Sequence, residues 1–246
     1  MQSFMVLVRC KNEISWLPDL KLGIEAQTIQ PAKVVFVDSG STDGSVEFAE
    51  NAGWTVINYL EHPFNYSRAI NLGMEKCQEE FALILSAHCL FVDIFAVESL
   101  LKAMAVKDVV GAFGRQLPTN NSRAVDVRDL LTVFGRERHI FEQYPFFHNA
   151  FSLIRASTWR DLKFDESLNG MEDREWANSV CAVGKKIVYE PSACVFHEHG
   201  LNQSNEVSRA VRTVEMLKRV HRDDVYVGDR KRLGHGKIKY SRISLD

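Results

Sequence analysis

The sequence predicts an α/β protein, a mixed but mainly parallel sheet with helices on both faces. Three observations carry that reading. Short apolar runs, Phe4 to Val8, Val34 to Val37 and Phe81 to Leu85, have the length and composition of strands buried on both faces. Segments with helical spacing follow them: Trp16, Leu17, Leu20 and Ile24 after the first, and Val46, Phe48 and Ala49 after the second. Each run gives way to small or polar residues, placing loops at the strands' C-terminal ends, where open α/β sheets bind ligands. Strand, helix, strand and helix in succession are the opening of a doubly wound sheet.

Composition bounds the rest. The chain has 246 residues, 46% hydrophobic and 25% charged, enough for one large domain with a substantial core. Net charge is −2, so no basic field argues for a nucleic-acid partner. Cys10, Cys77, Cys89, Cys181 and Cys194 are odd in number and lack CxxC spacing. They argue against a disulfide framework or structural zinc site and fit a reducing cytoplasm. The first apolar run is too short for a signal peptide, and no stretch approaches the roughly 20 apolar residues of a membrane span.

The most informative stretch is Lys33 to Ser45, KVVFVDSGSTDGS. A strand ends at Asp38; Ser39, Gly40, Ser41, Thr42, Asp43 and Gly44 form a loop; a helix follows, with Asp43 or Ser45 as the expected N-cap. A carboxylate at that strand end suits the donor groups of a nucleobase, a ribose hydroxyl or a metal, or it caps the loop. Trp54 to Ile57 reads as an edge-side strand. Ser67 is the expected cap of a helix on which Arg68 and Asn71, three apart, share a face. An Arg at a helix N-terminus opposes the dipole unless it meets an anion or a carboxylate.

Further along, Val97, Leu100, Leu101 and Met104 mark an amphipathic helix, and Asp108 to Gly114 a strand. Arg123 to Ile140 reads as helix and loop, and Phe146 to Arg155 as a strand-like run. A helix from Glu172 runs through Trp176 and Val180 towards Gly184, and Lys186 to Tyr189 is a short last strand. His197 and His199, two apart, would share one face of a strand. From Asn205 the composition shifts to an amphipathic helix with a basic tail, giving expected units of 1–204 and 205–246. That tail reads as a solvated face, as a peripheral contact with an anionic membrane, or as a cover for the pocket.

VDSGSTDGS, followed in order by Glu172-Asp173 and by His197-x-His199, resembles the signature of the family 2 glycosyltransferases, which have the GT-A fold. The resemblance covers Phe4 to Gly200. It implies transfer of a sugar, with inversion, from a nucleotide-sugar donor to a glycan or lipid-linked glycan hydroxyl. Asp173 is then the general base and Glu172 its helper. Arg9, Asn12 and Glu13 lie near the base or ribose, with Asp38, Ser39, Gly40, Asn71, Ser86 and Ala87 also on the donor. Arg68 meets phosphate or holds Asp38. Arg115, Gln116, His148 and Asn149 face the sugar or acceptor, although His148 and Asn149 equally suit buried backbone groups.

The family's Asp-x-Asp strand end is here Ser86-Ala87-His88. Serine is a poor cation ligand, and imidazole suits Mn²⁺ better than Mg²⁺. The resemblance therefore implies a divalent cation, Mn²⁺ ahead of Mg²⁺, on His88 with His197 or His199; a direct phosphate contact or a buried histidine are the other readings of His88. A subgroup resemblance in LSAHC and GRQxP points to bacterial surface polysaccharides and dTDP-rhamnose-type donors. Two rivals remain: a nucleotidyltransferase, which lacks its Gly-rich basic loop here, and an inactive nucleotide-binding relative, which the missing Asp-x-Asp favours and the retained Glu-Asp pair opposes.

Overall fold

A computed structural model describes residues 2–168 and 170–198. The expectations placed on His199 and on residues 205–246, including the membrane contact, lie outside the described residues. Within them the strands are β1 (Phe4–Cys10), β2 (Lys33–Asp38), β3 (Thr55–Asn58), β4 (Phe81–Ser86), β5 (Cys89–Phe91), β6 (Val109–Leu117), β7 (His139–Phe141), β8 (Phe151–Arg155) and β9 (Lys186–His197). The helices are α1 (Leu17–Glu25), α2 (Ser45–Asn51), α3 (Tyr66–Met74), α4 (Ala96–Ala103), α5 (Ala124–Val133), α6 (Ala156–Asp161) and α7 (Glu172–Ala182).

All nine described strands share one sheet, ordered β3-β2-β1-β4-β8-β6-β9-β5, with β7 also on β9. β1, β2, β3 and β4 are mutually parallel. β8 runs antiparallel to β4 and β6, and β6 is parallel to β9. This brings the ends of β1, β2, β4, β6 and β9 and the start of β8 to one edge.

The central strands are apolar on both sides because both sides are covered. Phe4, Val6 and Val8 pack with Leu17, Leu20 and Ile24 of α1 and Leu100 of α4. Met5 and Leu7 pack on the other face with Ile70 and Met74 of α3. Burying a Leu or Ile of this kind stabilises by about 1.5–3 kcal/mol. The close approach of α3 depends on Gly73, where a Cβ would stand 2.2 Å from Leu7 Cδ1 and 3.0 Å from Val37 Cγ2.

Several local expectations need correction. Asn65, not Ser67, caps α3, accepting the Arg68 N–H at 2.9 Å; the Ser67 hydroxyl is buried and donates to the Leu168 carbonyl. α2 begins after Gly44 at φ +94°, while Asp43 accepts the Ser45 N–H from just outside. β8 starts at Phe151 because Phe146 and Phe147 join an aromatic cluster around Phe113 instead of a ladder. Ile140 lies in β7, a strand antiparallel to β9. β9 is one strand through His197, with a register skip between Gly114/Glu190 and Arg115/Cys194 that absorbs Pro191.

Candidate active site

The site is a row across this edge. At one end β2 stops at Asp38, whose side chain is buried. Its Oδ2 accepts the Gly40 and Ser41 N–H groups at 2.8 and 2.9 Å, a return that Gly40 permits at φ +87°. Its Oδ1 is buried with no hydrogen-bond partner among the described residues. A buried acceptor left alone is costly, so this oxygen marks a place for a ligand's N–H or O–H. The loop around it is stitched to the β1 exit. Asn12 accepts the Thr42 N–H at 2.8 Å, Asn12 N–H donates to Ser41 Oγ at 2.8 Å, and Ile14 N–H donates to Asp43 Oδ2 at 2.9 Å. Ser39 N–H donates to the Cys10 carbonyl.

Next in the row is Arg9, paired in register with Ser86. Its Nη2 donates to the Asn149 carbonyl at 3.0 Å and towards Ser86 Oγ at 3.4 Å. The turn after β4 is fixed by Ala87 N–H on the Arg9 carbonyl. It delivers His88 to the start of β5, and the Cys89–His197 pairing sets His88 beside the end of β9.

A chain of side chains results. Glu13 Oε1 lies 2.8 Å from His88 Nδ1, His88 Nε2 3.0 Å from His197 Nε2, His197 Nδ1 2.8 Å from Gln116 Oε1, and Gln116 Nε2 3.0 Å from His148 Nδ1. Gln116 is fully buried. Burial pushes the His148 imidazole down to about 4, against the opposing pull of Asp173. Glu13, expected near the base or ribose, engages His88. Gln116, expected on sugar or acceptor, has both ends of its amide in use within the protein.

Beyond Asn149 stands the carboxylate pair. α7 starts at Glu172, following Met171 in the left-handed region, and carries Glu172 and Asp173 in its first turn. Asp173 Oδ2 accepts the Asn149 N–H at 3.2 Å and Oδ1 the Arg174 N–H at 2.8 Å. Glu172 is buried, and its carboxyl is pushed up to about 7, first by burial and then by Asp173; Arg9 and Asn149 oppose the shift.

Two expected residues sit elsewhere. Arg68 does not hold Asp38: its guanidinium lies 3.4 Å from Glu166 and 3.6 Å from Glu61. Asn71 is a buried tie, donating to the Phe164 carbonyl and Glu166 and accepting from Trp159 Nε1 and the Phe164 N–H. Arg115 Nε donates to the Phe134 carbonyl. Arg174, which sequence reasoning passed over, lies half-buried 4.5 Å over the Phe146 ring beside Asp173. Its place next to the carboxylate pair was the available signal.

No group of three or more His, Cys, Asp or Glu is placed to hold a metal among the described residues. The His88–His197 pair is a two-ligand fit. Each Nδ1 faces an oxygen, the way metal-bound imidazoles are oriented. The pair would supply two imidazole ligands to a divalent cation, which would neutralise charge on a bound diphosphate.

Known proteins resemble this chain in sequence and in fold. The chain is 26% identical over 196 residues to the O-antigen chain rhamnosyltransferase WbaN of Salmonella anatum, covering 75% of this chain and 62% of that protein. It is 26% identical over 216 residues to the O-antigen chain rhamnosyltransferase RfbN of Salmonella typhimurium, covering 83% and 69%. The chain thus spans about two thirds of the length of these relatives. The fold is that of the mannosyltransferase PcManGT from Pyrobaculum calidifontis, solved with GDP-Man and Mn²⁺, at a TM-score of 0.66 and 19% identity, over 92% of this chain and 65% of that one. Residues 5–162 match the family model described as glycosyl transferase family 2. With its mixed GT-A sheet and the Asp38 loop inside the matched region, the chain belongs to glycosyl transferase family 2.

Proposed function

We propose that this glycosyltransferase is an inverting enzyme that moves a sugar from a nucleotide-sugar donor to a glycan or lipid-linked glycan hydroxyl in bacterial surface polysaccharide synthesis. The supporting observation is the row itself: an unpartnered buried acceptor on Asp38 at one end, the Glu172–Asp173 pair at the other, and the histidines between. Asp38 Oδ1 accepts a base N–H, for which the imino group of thymine or uracil is suited. The names of the two Salmonella relatives favour a deoxyhexose donor such as dTDP-rhamnose.

Asp173, oriented by two backbone N–H groups, takes the proton from the acceptor hydroxyl as that oxygen attacks the anomeric carbon. Glu172, protonated up to about pH 7, keeps a second negative charge away from the base and offers an O–H to hold the acceptor. A divalent cation on His88 and His197, Mn²⁺ ahead of Mg²⁺, would neutralise charge on the departing diphosphate. The described cysteines are buried free thiols, which supports a reducing cytoplasmic setting. No helix of the described residues is long and apolar enough to cross a membrane.

The test is donor hydrolysis across UDP-, dTDP- and GDP-sugars with Mn²⁺ or Mg²⁺, paired with nucleotide binding. Asp173→Asn should lower turnover about 10²–10⁴-fold and leave nucleotide affinity unchanged. Near-wild-type turnover in that variant would refute the assignment.

A further inference from the structure

We infer that Gln116 and His148 are positioning residues that set the tautomer of His197, turning the Nε2 lone pairs of His88 and His197 onto one point between the rings. The inference rests on the cation reading of that pair. It goes beyond it by explaining why a buried glutamine sits at the end of β6.

With both His88 and His197 neutral, the chain from Glu13 to His148 admits two consistent hydrogen patterns. In one, Gln116 gives its oxygen to His197 and its NH₂ to His148. In the other, the amide is reversed, His197 Nε2–H donates to His88 Nε2, and the two rings satisfy each other with no room for a cation. Amide orientation is decided by the surrounding network.

One group in that network cannot change role. The Ala150 backbone N–H lies 3.4 Å from His148 Nδ1 and can only donate. His148 Nδ1 is therefore an acceptor, and Gln116 must present Nε2–H to it at 3.0 Å. Gln116 Oε1 then faces His197 Nδ1 at 2.8 Å, and a carbonyl oxygen only accepts, so the His197 hydrogen sits on Nδ1. At the far end the Glu13 carboxylate requires the His88 hydrogen on Nδ1 in the same way. Two Nε2 lone pairs are left pointing together 3.0 Å apart. Such a pair is open to a cation, a metal ion or a proton, between them. A backbone amide on the approach to β8 thus selects, through Gln116, the pattern open to a cation over the one that excludes it.

The first readout needs no metal. Long-range ¹H–¹⁵N correlation spectra of the metal-free full chain should show the His148 hydrogen on Nε2 and a His197 hydrogen on Nδ1. A His148 Nδ1–H tautomer, or His197 without a hydrogen on Nδ1, overturns the inference. The second readout is binding of Mn²⁺ alone, followed by its electron paramagnetic resonance signal. Gln116→Leu and His148→Phe should each bind Mn²⁺ about 10–100-fold more weakly than wild type. Adding Gln116→Glu to His148→Phe should restore binding, because a carboxylate offers an acceptor to His197 whichever way it lies. Unchanged affinity in Gln116→Leu, or no recovery in the double variant, contradicts the positioning role. Wild-type protein that shows the expected tautomers but takes up no Mn²⁺ overturns the cation reading instead.

Discussion

The two ends of the row are held by different means. Around Asp38 the bonds are local: its Oδ2 binds backbone groups two and three residues on, and the loop is tied to a neighbour 29 or 30 residues away. Around His88 they are distant. Glu13, His88, His197 and Gln116 meet across separations of 75, 109 and 81 residues. The Asp38 end consists mainly of a side chain folded onto backbone, which a short motif can encode. The histidine end consists of side chains meeting side chains, which only the sheet order can bring together.

That contrast can be broken at either end. The largest stability effect should come from Asn71→Ala, away from both. It strands Trp159 Nε1 and the Phe164 N–H, at about 1–3 kcal/mol for each buried group left unsatisfied. Denaturant unfolding should show the loss, with the donor KM of the folded fraction unchanged; a raised KM at full stability would return Asn71 to the donor pocket.

Asp38→Asn should then separate local scaffold from ligand contact. Its remaining oxygen can keep the Gly40 and Ser41 bonds, but an NH₂ replaces the unpartnered oxygen. Nucleoside diphosphate affinity by calorimetry should fall about 10–100-fold, the value of a charge-assisted hydrogen bond. Equal affinity would remove Asp38 from the base pocket.

Glu172 gives the pH dependence. Its folded value of about 7 lies above the ordinary 4.5. Between those values the folded protein holds a proton that the unfolded chain has released. Stability from this group is therefore full below about 4.5 and is lost as pH rises towards 7. Glu172→Gln should gain on wild type in Tm across that window, and parallel Tm curves would contradict the assignment. The smallest effect is expected from Arg68→Gln. Its exposed ion pairs are screened by solvent and contribute little, so a marked rise in donor KM without loss of stability would show that Arg68 leaves Glu166 for phosphate.

The same contrast explains what was legible in the sequence. β1, β2 and β4 announce themselves as apolar runs because parallel central strands are buried on both faces. The Asp38 loop announces itself through its own residues. β9 was visible only in part, since Pro191 and the register skip interrupt a strand whose continuity depends on β6 and β5. His88 and His197 were singled out by resemblance, but the connection through Gln116 to His148 was not visible. Nothing near Gln116 in sequence records that β9 lies beside it and that the aromatic-lined approach to β8 ends against its amide. The contacts of Arg68 and Asn71 were not legible because Glu166, the partner of both, lies 95 or more residues away.

The most direct test of the account is the stereochemistry of the released sugar. Time-resolved ¹H NMR of donor hydrolysis, begun before mutarotation, reads the first anomer formed. With Asp173 as a base acting on the attacking oxygen and no covalent glycosyl-enzyme, the first anomer should be opposite to that of the donor, and Asp173→Asn should release almost none. A first product with the donor's own configuration would contradict the single displacement, and with it the role given to Asp173.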